Sequence, residues 1–516
     1  MSSTSVDTSA VRILLWHGWL LDGTGSNVYT ARVADVLASD GHDVVVVCQE
    51  RHPERHPWID AIGTVSTSGV SALEPTGEGT GHGRATLLRP DIGRLLPVFV
   101  LDDYEGFDAK RFVDLSDDEL ERYLSANADA LRAAVAWHGS DVVIVGHAVP
   151  GGPIAARAVG PGRYVVKTHG SDVEYAMRPQ ERYRELAREG LAGAIAITGS
   201  SQDVLDRCAE FVPGISARSV VVHPGVDALR FSPRPRREAL LDVAARLDAD
   251  GSTSLGRRPA IGAEVVNATA ARDLSRLDAL AQTYDQTVPD PTAAAGLRAL
   301  AGRDEPIVGY LGKLIPQKGV ASLLASLTRT ATDAAGLVVG FGSERERLQG
   351  LAAALRSGDR VTTEWLVAAA GWPFVGDELG ELPLRSEIVF TGRLDHTYAP
   401  DAVAAMDVLV VPSILEEAFG MVAAEGASAG ALPLVARHSG LAEVAGALEG
   451  HVGRPGLFSF EPGSGAVARI AEGIDRLLTL DPHDRDELRA AVRDFVSQEW
   501  SWRGTAERLL DAATRP

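Results

Sequence analysis

Short apolar runs alternate with segments of helical periodicity along most of the chain. Residues 11–16 (VRILLW) and 44–48 (VVVVC) are two such runs. Between them, apolar side chains recur at helical spacing from Val28 until Gly41, a residue type that ends helices. Apolar runs without polar alternation are typical of strands buried on both faces. The strand–helix–strand order therefore predicts a parallel sheet covered by helices.

The same alternation continues in two blocks. It predicts strands at 142–145, 164–167, 194–197 and 220–222, and then at 307–311, 337–340, 387–390, 408–411 and 432–435. Three segments interrupt it. Residues 51–97 are rich in Gly, Ser, Thr and Pro and predict long loops or an excursion, residues 228–304 predict a linker with a mostly helical insertion, and residues 356–385 predict a further insertion.

A chain of 516 residues is too long for one hydrophobic core. We expect an α/β protein with two doubly wound, Rossmann-like domains that face a central cleft. The predicted parts are an N-terminal acceptor-side domain (1–228), the linker and insertion (229–304), a C-terminal domain (305–490) and a terminal helical segment (491–516). In such sheets ligands bind beyond the carboxyl ends of the strands.

The net charge and the cysteine content restrict the binding partners and the cellular compartment that we expect. The formal net charge is −20, which argues against nucleic acid as a partner and against an anionic membrane. The two cysteines, Cys48 and Cys208, cannot build a disulfide framework, and they favour a reducing compartment. Neither a signal peptide nor a transmembrane segment is expected. We therefore expect a cytoplasmic protein, with peripheral attachment to the inner face of the membrane left open.

Lysine is rare in this chain and is concentrated in one loop. Two of only four lysines, Lys313 and Lys318, lie in the segment 312–319, directly after a predicted strand. Two ammonium groups beside a helix start are suited to an anion such as a phosphate. The alternative is a solvated loop whose lysines bind nothing, and the scarcity of lysine elsewhere weighs against it.

The segment 412–425 (PSILEEAFGMVAAE) joins the strand 408–411 to a helix that opens at Gly420. The backbone N–H groups of Gly420, Met421 and Val422 should point out of the helix start, where an anion or a sugar hydroxyl can accept them. Glu417 in the loop and Glu425 in the helix offer carboxylates, which accept two hydrogen bonds from vicinal hydroxyls. An ordinary exposed helix carboxylate is the alternative for Glu425, although its neighbours are small, packing residues.

A glycine pair, Gly23-x-Gly25, follows the first predicted strand. It partly matches a nicotinamide-dinucleotide fingerprint, but Val28 replaces the third small residue and six residues separate the strand from the glycines. A flexible loop and a loop whose N–H groups approach a phosphate remain the other interpretations.

Several side chains near predicted strand ends could carry chemistry. His169 follows the strand 164–167 and could donate to a substrate oxygen or transfer a proton, although single histidines are often structural. His147 is a weaker candidate, and Asp172 could be a base or a helix cap. The acidic pair Asp102 and Asp103 could hold a divalent ion, but we expect no metal site.

Taken together, these motifs resemble the retaining glycosyltransferases of family 4, which have the GT-B architecture. The resemblance rests on Glu417-x7-Glu425, on the lysine loop 312–319, on the turn 224–227, on Thr168-His-Gly170 and on the glycine loop 23–25 followed by the strand entry 41–44. It implies transfer of a sugar from a nucleoside-diphosphate sugar, carrying UDP or GDP for example, to an acceptor hydroxyl or another nucleophile. The acceptor is expected to be a small molecule or a glycan rather than a lipid.

The resemblance also assigns roles to individual residues. Glu425 would bind the ribose, Glu417 and the backbone of Phe419, Gly420, Met421 and Val422 would hold the donor sugar and the diphosphate, and Lys313 and Lys318 would neutralise that diphosphate, Lys313 standing where the family usually has Arg. Gly25 would approach the phosphates, His169 would contact the sugar, and the segment 392–394, ending in Leu394, would meet the nucleobase. The catalytic candidates are thus His169, Glu417 and Lys318, and the terminal helix would pack on the first domain.

The resemblance implies a retaining front-face transfer, without a metal and without a protein base, in which the departing phosphate takes the acceptor proton. Two rivals share the donor pocket: a sugar-nucleotide epimerase of the same architecture and a non-catalytic sugar-nucleotide-binding protein. A nicotinamide-dependent dehydrogenase is the alternative from a different enzyme class.

Overall fold

The structure is a computed structural model that describes residues 10–77, 79, 81–100, 104–281 and 288–514. The chain divides into two compact units. Unit 1 comprises the residues up to Gly225 together with those from Trp500 onward, and unit 2 is Val226–Glu499. Residues 1–9, for which no signal peptide is expected, and the acidic pair Asp102–Asp103 lie outside the described residues.

Unit 1 is built on a sheet of nine strands. Its N-terminal part contains, in chain order, β1 (Arg12–Trp16), α1 (Gly25–Ser39), β2 (Asp43–Val47), β3 (Ala61–Ser66), β4 (Gly69–Pro75), β5 (Arg84–Pro90), β6 (Leu95–Val98), β7 (Asp108–Arg111), α2 (Asp117–His138), β8 (Val142–Gly146), α3 (Gly152–Val159), β9 (Val165–Lys167), α4 (Glu181–Ala192), β10 (Ala196–Gly199), α5 (Gln202–Phe211) and β11 (Ser219–Val221). The strand order in the sheet is β11-β10-β9-β8-β1-β2-β5-β3-β4, and β6 pairs with β7 separately.

Unit 2 is built on a sheet of six strands in the order β14-β13-β12-β15-β16-β17. Its elements are α6 (Arg236–Ala249), α7 (Ile261–Ala270), α8 (Leu274–Ala281), α9 (Ala293–Ala301), β12 (Ile307–Leu311), α10 (Val320–Ser326), β13 (Ala335–Val339), α11 (Arg345–Ser357), α12 (Arg360–Ala370), β14 (Ile388–Phe390), α13 (Ala399–Ala404), β15 (Val408–Val411), α14 (Met421–Ala429), β16 (Leu432–Ala436), α15 (Ser439–Val452), β17 (Ser459–Phe460), α16 (Ala466–Leu478) and α17 (Pro482–Glu499). The last helix, α18 (Trp502–Ala513), belongs to unit 1.

The apolar runs do form parallel strands. β1 pairs with β2 on one side and with β8 on the other, in parallel, and each residue of β8 is buried. In unit 2, β12 pairs in parallel with β13 and β15. Consecutive buried residues along a strand require cover on both faces, which the flanking helices provide. The predicted α/β class with two Rossmann-like parallel sheets is confirmed.

The prediction of loops for residues 51–97 was wrong. This segment contributes β3, β4 and β5 to the main sheet, and β5 pairs in parallel with both β2 and β3. β4 pairs antiparallel with β3 at the edge of the sheet, and most of its residues are exposed. An exposed edge strand needs no apolar face, so its Gly, Ser and Thr content resembles that of a loop.

The segment before β12 is mostly helical, as predicted, and is anchored to unit 2 by buried ion pairs. Arg345 on α11 pairs with Asp290 at 2.8 Å, and Arg257 pairs with Glu346 at 3.0 Å. All four side chains are at most 5% exposed. Breaking such a pair by removing one partner leaves an uncompensated buried charge, so these contacts tie the connections before α7 and α9 to α11.

None of the helices in the described part of the chain combines the length and the apolar character that crossing a membrane requires.

Candidate functional site

The predicted anion loop and the predicted carboxylate loop lie side by side in unit 2. β12 and β15 are neighbours in the sheet, so the loops that leave their carboxyl ends emerge together. The backbone N–H of Ile414 donates to the carbonyl of Gln317 at 2.8 Å. Gly319, at φ 65°, allows this approach, because a Cβ atom there would lie 2.1 Å from the carbonyl oxygen of Pro412.

Lys318 and Glu417 form an ion pair at the centre of this contact. The Oε1 atom of Glu417 also accepts a hydrogen bond from Ser413 Oγ at 2.6 Å. Burial acts to raise the pKa of Glu417, but the charge of Lys318 and the hydrogen bonds from Lys318 and Ser413 outweigh it and lower that pKa. The Glu417 carboxylate is therefore ionised, and it holds Lys318 in place.

The backbone around Glu417 is fixed by the start of α15. The N–H of Glu417 donates to Ser439 Oγ at 2.9 Å, and its carbonyl accepts from the N–H of Gly440 at 3.0 Å. Ser439 has a φ of 49°, which is unusual for a residue with a side chain. The Nε2–H of His438 donates to the carbonyl oxygen of Ser413 at 2.8 Å. These contacts hold the loop 413–417 from beneath.

The helix α14 begins at Met421, directly after Gly420, whose φ is 103°. A Cβ atom at Gly420 would lie 2.5 Å from Leu441 Cδ2, a flexible side-chain end that could shift, so it is the backbone conformation that favours glycine here. Phe419 is buried, whereas Gly420, Met421 and Val422 are partly exposed. The first N–H groups of α14 thus lie at a partly exposed helix start, as the sequence predicted.

Glu425, the predicted ribose ligand, is the fifth residue of α14 and is 8% exposed. It is not the exposed helix carboxylate of the alternative interpretation, because ordinary helix carboxylates remain in water.

Lys313 lies in the same loop as Lys318 but has a different environment. Its Nζ atom lies 5.9 Å from the centre of the Phe341 ring, and the guanidinium carbon of Arg393 lies 5.5 Å from that centre. Leu394, beside Arg393, is buried. Both cations therefore lie within the range of cation–π attraction to one ring. Arg393 lies within the segment 392–394 that the resemblance assigns to the nucleobase, whereas Phe341 stands in no recognisable motif and could not be identified from the sequence.

The predicted site residues of unit 1 lie at the carboxyl ends of its strands. Gly25 is the first residue of α1, which begins three residues earlier than Val28, where the apolar periodicity begins. A Cβ atom at Gly25 would meet no atom of the described residues within 4 Å. His169 follows β9, and its N–H donates to Asp172 Oδ1 at 3.3 Å.

Asp172 ties two loops together. It is fully buried, and its other oxygen accepts the N–H of Ala148 at 2.6 Å. Burial raises its pKa, against the lowering effect of these backbone hydrogen bonds. Asp172 thus joins the loop after β8 to the loop after β9. This structural role accounts for a buried carboxylate at this position without a catalytic role.

His169 belongs to a histidine cluster that the sequence did not reveal, made of His17, His147 and His169. The ring centres of His147 and His169 are 4.5 Å apart, and those of His17 and His147 are 6.1 Å apart. Burial lowers the pKa of all three, to about 4 for His17, and so favours neutral rings. The three residues follow β1, β8 and β9, which are adjacent in the sheet.

Lys167 lies beneath this cluster and is also buried. Its Nζ atom donates to Ser200 Oγ at 2.9 Å and lies 4.9 Å from the centre of the Tyr29 ring. Burial lowers its pKa to about 7. The fold therefore disfavours the charged form of Lys167. Lys110 pairs with Glu119 at 2.8 Å on the surface of unit 1.

Two family models match the chain. Residues 24–225 match the glycosyl transferase 4-like domain, and residues 376–495 match glycosyl transferases group 1. The two matched segments fall in unit 1 and unit 2 respectively.

Known proteins resemble the chain over most of its length. A GDP-mannose-dependent alpha-(1-6)-phosphatidylinositol monomannoside mannosyltransferase of Mycobacterium tuberculosis is 27% identical over 396 residues, which are 74% of this chain and 77% of that protein. A 2-deoxystreptamine N-acetyl-D-glucosaminyltransferase of Streptomyces fradiae is 29% identical over 257 residues, 47% of this chain and 52% of that one. The solved structure of a sucrose-phosphate synthase from Thermosynechococcus elongatus superimposes with a TM-score of 0.57 and 18% identity, covering 97% of this chain and 98% of that chain.

Proposed function

We propose a reaction for this chain from the premise that it belongs to the glycosyltransferases of the family 4 type and has the GT-B fold. The chain is a glycosyltransferase that uses a nucleotide-sugar donor. The proposal is that it transfers the sugar of a nucleoside-diphosphate sugar to an acceptor hydroxyl with retention of the anomeric configuration.

One observation carries the proposal: the ion pair of Lys318 and Glu417 beside the start of α14. It combines a cation, a carboxylate and free helix N–H groups at the carboxyl edge of a parallel sheet. A pyrophosphate needs the cation and the N–H groups, and sugar hydroxyls need the carboxylate. Glu425, buried in the same helix, is assigned to the ribose hydroxyls, and Lys313 to the diphosphate.

The chemistry requires stabilisation of a leaving group. As the bond between the sugar carbon and the phosphate oxygen breaks, negative charge grows on the nucleoside diphosphate. In this proposal, Lys318, Lys313 and the N–H groups of residues 420–422 stabilise that charge in the transition state. The bond to the acceptor oxygen forms on the same face of the sugar, and the acceptor proton passes to the departing phosphate oxygen. These residues supply positioning and charge, and the step uses no protein base.

His169 is assigned to the donor sugar. Burial keeps its pKa well below the usual value for histidine, so its ring is neutral at pH 7. A neutral imidazole N–H donates a hydrogen bond to a sugar hydroxyl without adding a positive charge that would oppose an oxocarbenium-like sugar.

We assign a small polyhydroxylated molecule or a glycan as acceptor. The name of one relative includes a phosphatidylinositol monomannoside, which is a lipid, and the name of another includes 2-deoxystreptamine, which is a small cyclic molecule. The relatives therefore do not choose between these two kinds of acceptor. The net charge of −20 opposes approach to an anionic membrane and favours the second kind. The reaction is placed in the cytoplasm, where the buried thiols of Cys48 and Cys208 stay reduced.

Nucleotide binding tests the assignment of the loop directly. UDP, GDP and ADP should be compared by the shift of the melting temperature, because a ligand that binds only the folded state stabilises it by RT ln(1 + [L]/Kd). For the base that binds, Lys318→Ala should weaken binding about 10–100-fold, as expected for loss of a charge-assisted contact. Lys110→Ala is the matched control, since it removes a surface ion pair of unit 1, and it should leave binding unchanged. Equal affinities in the two variants would contradict the assignment of Lys318.

Retention of the anomeric configuration is tested by determining the configuration of the product. With an acceptor in hand, NMR should show the anomeric configuration of the donor in the product, and an inverted product would overturn retention. Incubation of each sugar nucleotide without acceptor separates the epimerase, because an epimerase would convert the sugar in that mixture. A chain that binds the nucleotide and turns over no donor with any acceptor would be the non-catalytic alternative.

A further inference from the structure

Three side chains converge in unit 1 at a place that the proposed reaction does not use. Asp22 lies between β1 and α1, Glu50 lies three residues after β2, and His56 follows in the next turn. One ligand atom of each lies within 4.8 Å of the others. The Nε2 atom of His56 is 3.8 Å from Asp22 Oδ2 and 3.7 Å from Glu50 Oε2.

These separations are too long for direct hydrogen bonds. The side chain of His56 is only 7% exposed, and within the described part of the chain its buried Nε2 atom has no hydrogen-bond partner. Leaving a buried polar atom unpaired is unfavourable, so this atom requires an explanation. It lies within ion-pair distance of two carboxylates and makes a hydrogen bond to neither.

The spacing suits atoms that share one ion. Three atoms separated by such distances can all lie about 2.0–2.4 Å from a common centre, and zinc–nitrogen and zinc–oxygen bonds are about 2.0–2.2 Å long, so a small inward shift of the ligands would complete the site. One imidazole and two carboxylates are ligands that zinc accepts, and the two negative charges balance a divalent ion.

The remaining bonding capacity of Glu50 agrees with this arrangement. Its Oε1 atom accepts the N–H groups of Arg51 at 2.9 Å and of His52 at 2.7 Å. Its Oε2 atom accepts only the N–H of Leu21, at 2.9 Å, among the bonds of the described residues, and so keeps a lone pair for an ion. The backbone thus orients the carboxylate toward His56, as outer hydrogen bonds orient metal ligands.

We propose that Asp22, Glu50 and His56 form a binding site for a divalent metal ion of the zinc class. Asp22 is half-exposed, which gives the ion a path from solvent and leaves room for water to complete its coordination.

The site would fix the segment that leads into α1. Asp22 immediately precedes Gly23–Gly25, and its carbonyl oxygen accepts a hydrogen bond from Asn27 Nδ2 at 2.5 Å. Asn27 Oδ1 in turn lies 2.9 Å from His17 Nε2. A bound ion would therefore join the glycine loop to the end of β2 as a positioning element, and its binding does not depend on the proposed transfer reaction.

Metal titration of the whole chain tests the proposal. After removal of metal with a chelator, zinc chloride should bind in one equivalent by calorimetry, and cobalt chloride should give visible absorption bands of the bound ion. Asp22→Asn and His56→Gln should each weaken zinc binding at least about tenfold. His52→Gln is the control from the same segment, because both of its ring nitrogens already have carboxylate partners at 3.0 Å, and it should bind zinc as the unmodified chain does.

Melting temperatures provide a second, independent test of zinc binding. Zinc should raise the melting temperature of the unmodified chain and of His52→Gln but not of the other two variants. If His56→Gln does not fold, zinc binding by Asp22→Asn alone tests the proposal, because the half-exposed side chain of Asp22 tolerates that change. Absence of zinc binding, or binding that neither Asp22→Asn nor His56→Gln reduces, would overturn the proposal.

Discussion

Individual buried histidines predict a pH dependence for the stability of unit 1. His17 is fully buried, and burial lowers its pKa from 6.5 to about 4. Unfolding returns this ring to water and to its ordinary pKa, so the unfolded chain binds more protons than the folded chain between about pH 6.5 and pH 4. Stability is therefore lost as the pH falls through that window.

A variant of His17 measures this contribution. His17→Gln keeps a donor for Asn27 Oδ1 but cannot titrate. At about 1.4 kcal/mol for each pKa unit, the ring contributes up to about 3 kcal/mol to the loss of stability across the window. Urea unfolding followed by tryptophan fluorescence at about pH 7 and about pH 5 should show a smaller loss for the variant than for the unmodified chain.

His483→Gln is the control for this measurement, because His483 is 80% exposed on α17. It should lose as much stability on acidification as the unmodified chain. His147 and His169 face His17 and shift in the same direction, so part of the pH dependence persists in His17→Gln. An unchanged dependence in His17→Gln would contradict the assignment.

At the level of elements, the loop before α10 depends on one glycine for two separate reasons. Gly319 has φ 65°, and a Cβ atom there would also approach the carbonyl of Pro412 to 2.1 Å. Gly371, at the end of α12, has nearly the same φ of 68° with nothing within 4 Å. Comparing alanine substitutions at Gly319 and Gly371 therefore separates the free-energy cost of the backbone conformation from the cost of the contact with Pro412.

Gly371→Ala should therefore cost only the conformational penalty, about 1–2 kcal/mol. Gly319→Ala should cost about 2 kcal/mol more, because the backbone of the loop 412–415 must move. It should also weaken nucleotide binding, since that loop leads to Glu417. Chemical denaturation and nucleotide titration of both variants check this, and equal losses in the two would show that the contact with Pro412 is not restrictive.

The elements also show what the sequence could predict. The strands around β1 and β12 were predictable because four or five apolar residues in a row have few other uses in a soluble chain. The edge strand β4 was not, because its exposed residues follow no burial pattern. Within the site, Lys318 and Glu417 could be identified from composition and motif. Ser439 could not, since its contact with Glu417 depends on a backbone conformation that serine seldom adopts.

At the scale of the whole molecule, unit 1 is assembled from both ends of the chain. α18 packs on α1, β8 and β10. Trp502 on this helix is 8% exposed, and its ring lies 5.9 Å from that of Tyr29. A Cβ atom at Gly225 would lie 2.3 Å from the backbone nitrogen of Trp502, so the exit from unit 1 and the return to it touch each other.

Trp502→Ala should destabilise unit 1 by about 3–5 kcal/mol, the usual cost of removing a large buried aromatic side chain. Arg503→Ala, on the neighbouring residue, removes an ion pair with Asp40 whose arginine is 68% exposed, and it should cost less than about 1 kcal/mol. Urea denaturation of the two variants gives the comparison. Similar losses in both would mean that the indole contributes little to the packing of α18.

Unit 1 contains segments that precede and follow unit 2 in the sequence, and this arrangement affects when unit 1 can finish folding during synthesis. Domains generally fold as units, with the N-terminal one first as the chain leaves the ribosome. Here the nine-stranded sheet precedes unit 2 along the chain, yet the helix that covers α1 follows all of unit 2. The nascent N-terminal unit therefore keeps an uncovered apolar surface throughout the synthesis of the following 274 residues, Val226–Glu499, and its folding is complete only after α18 has been made.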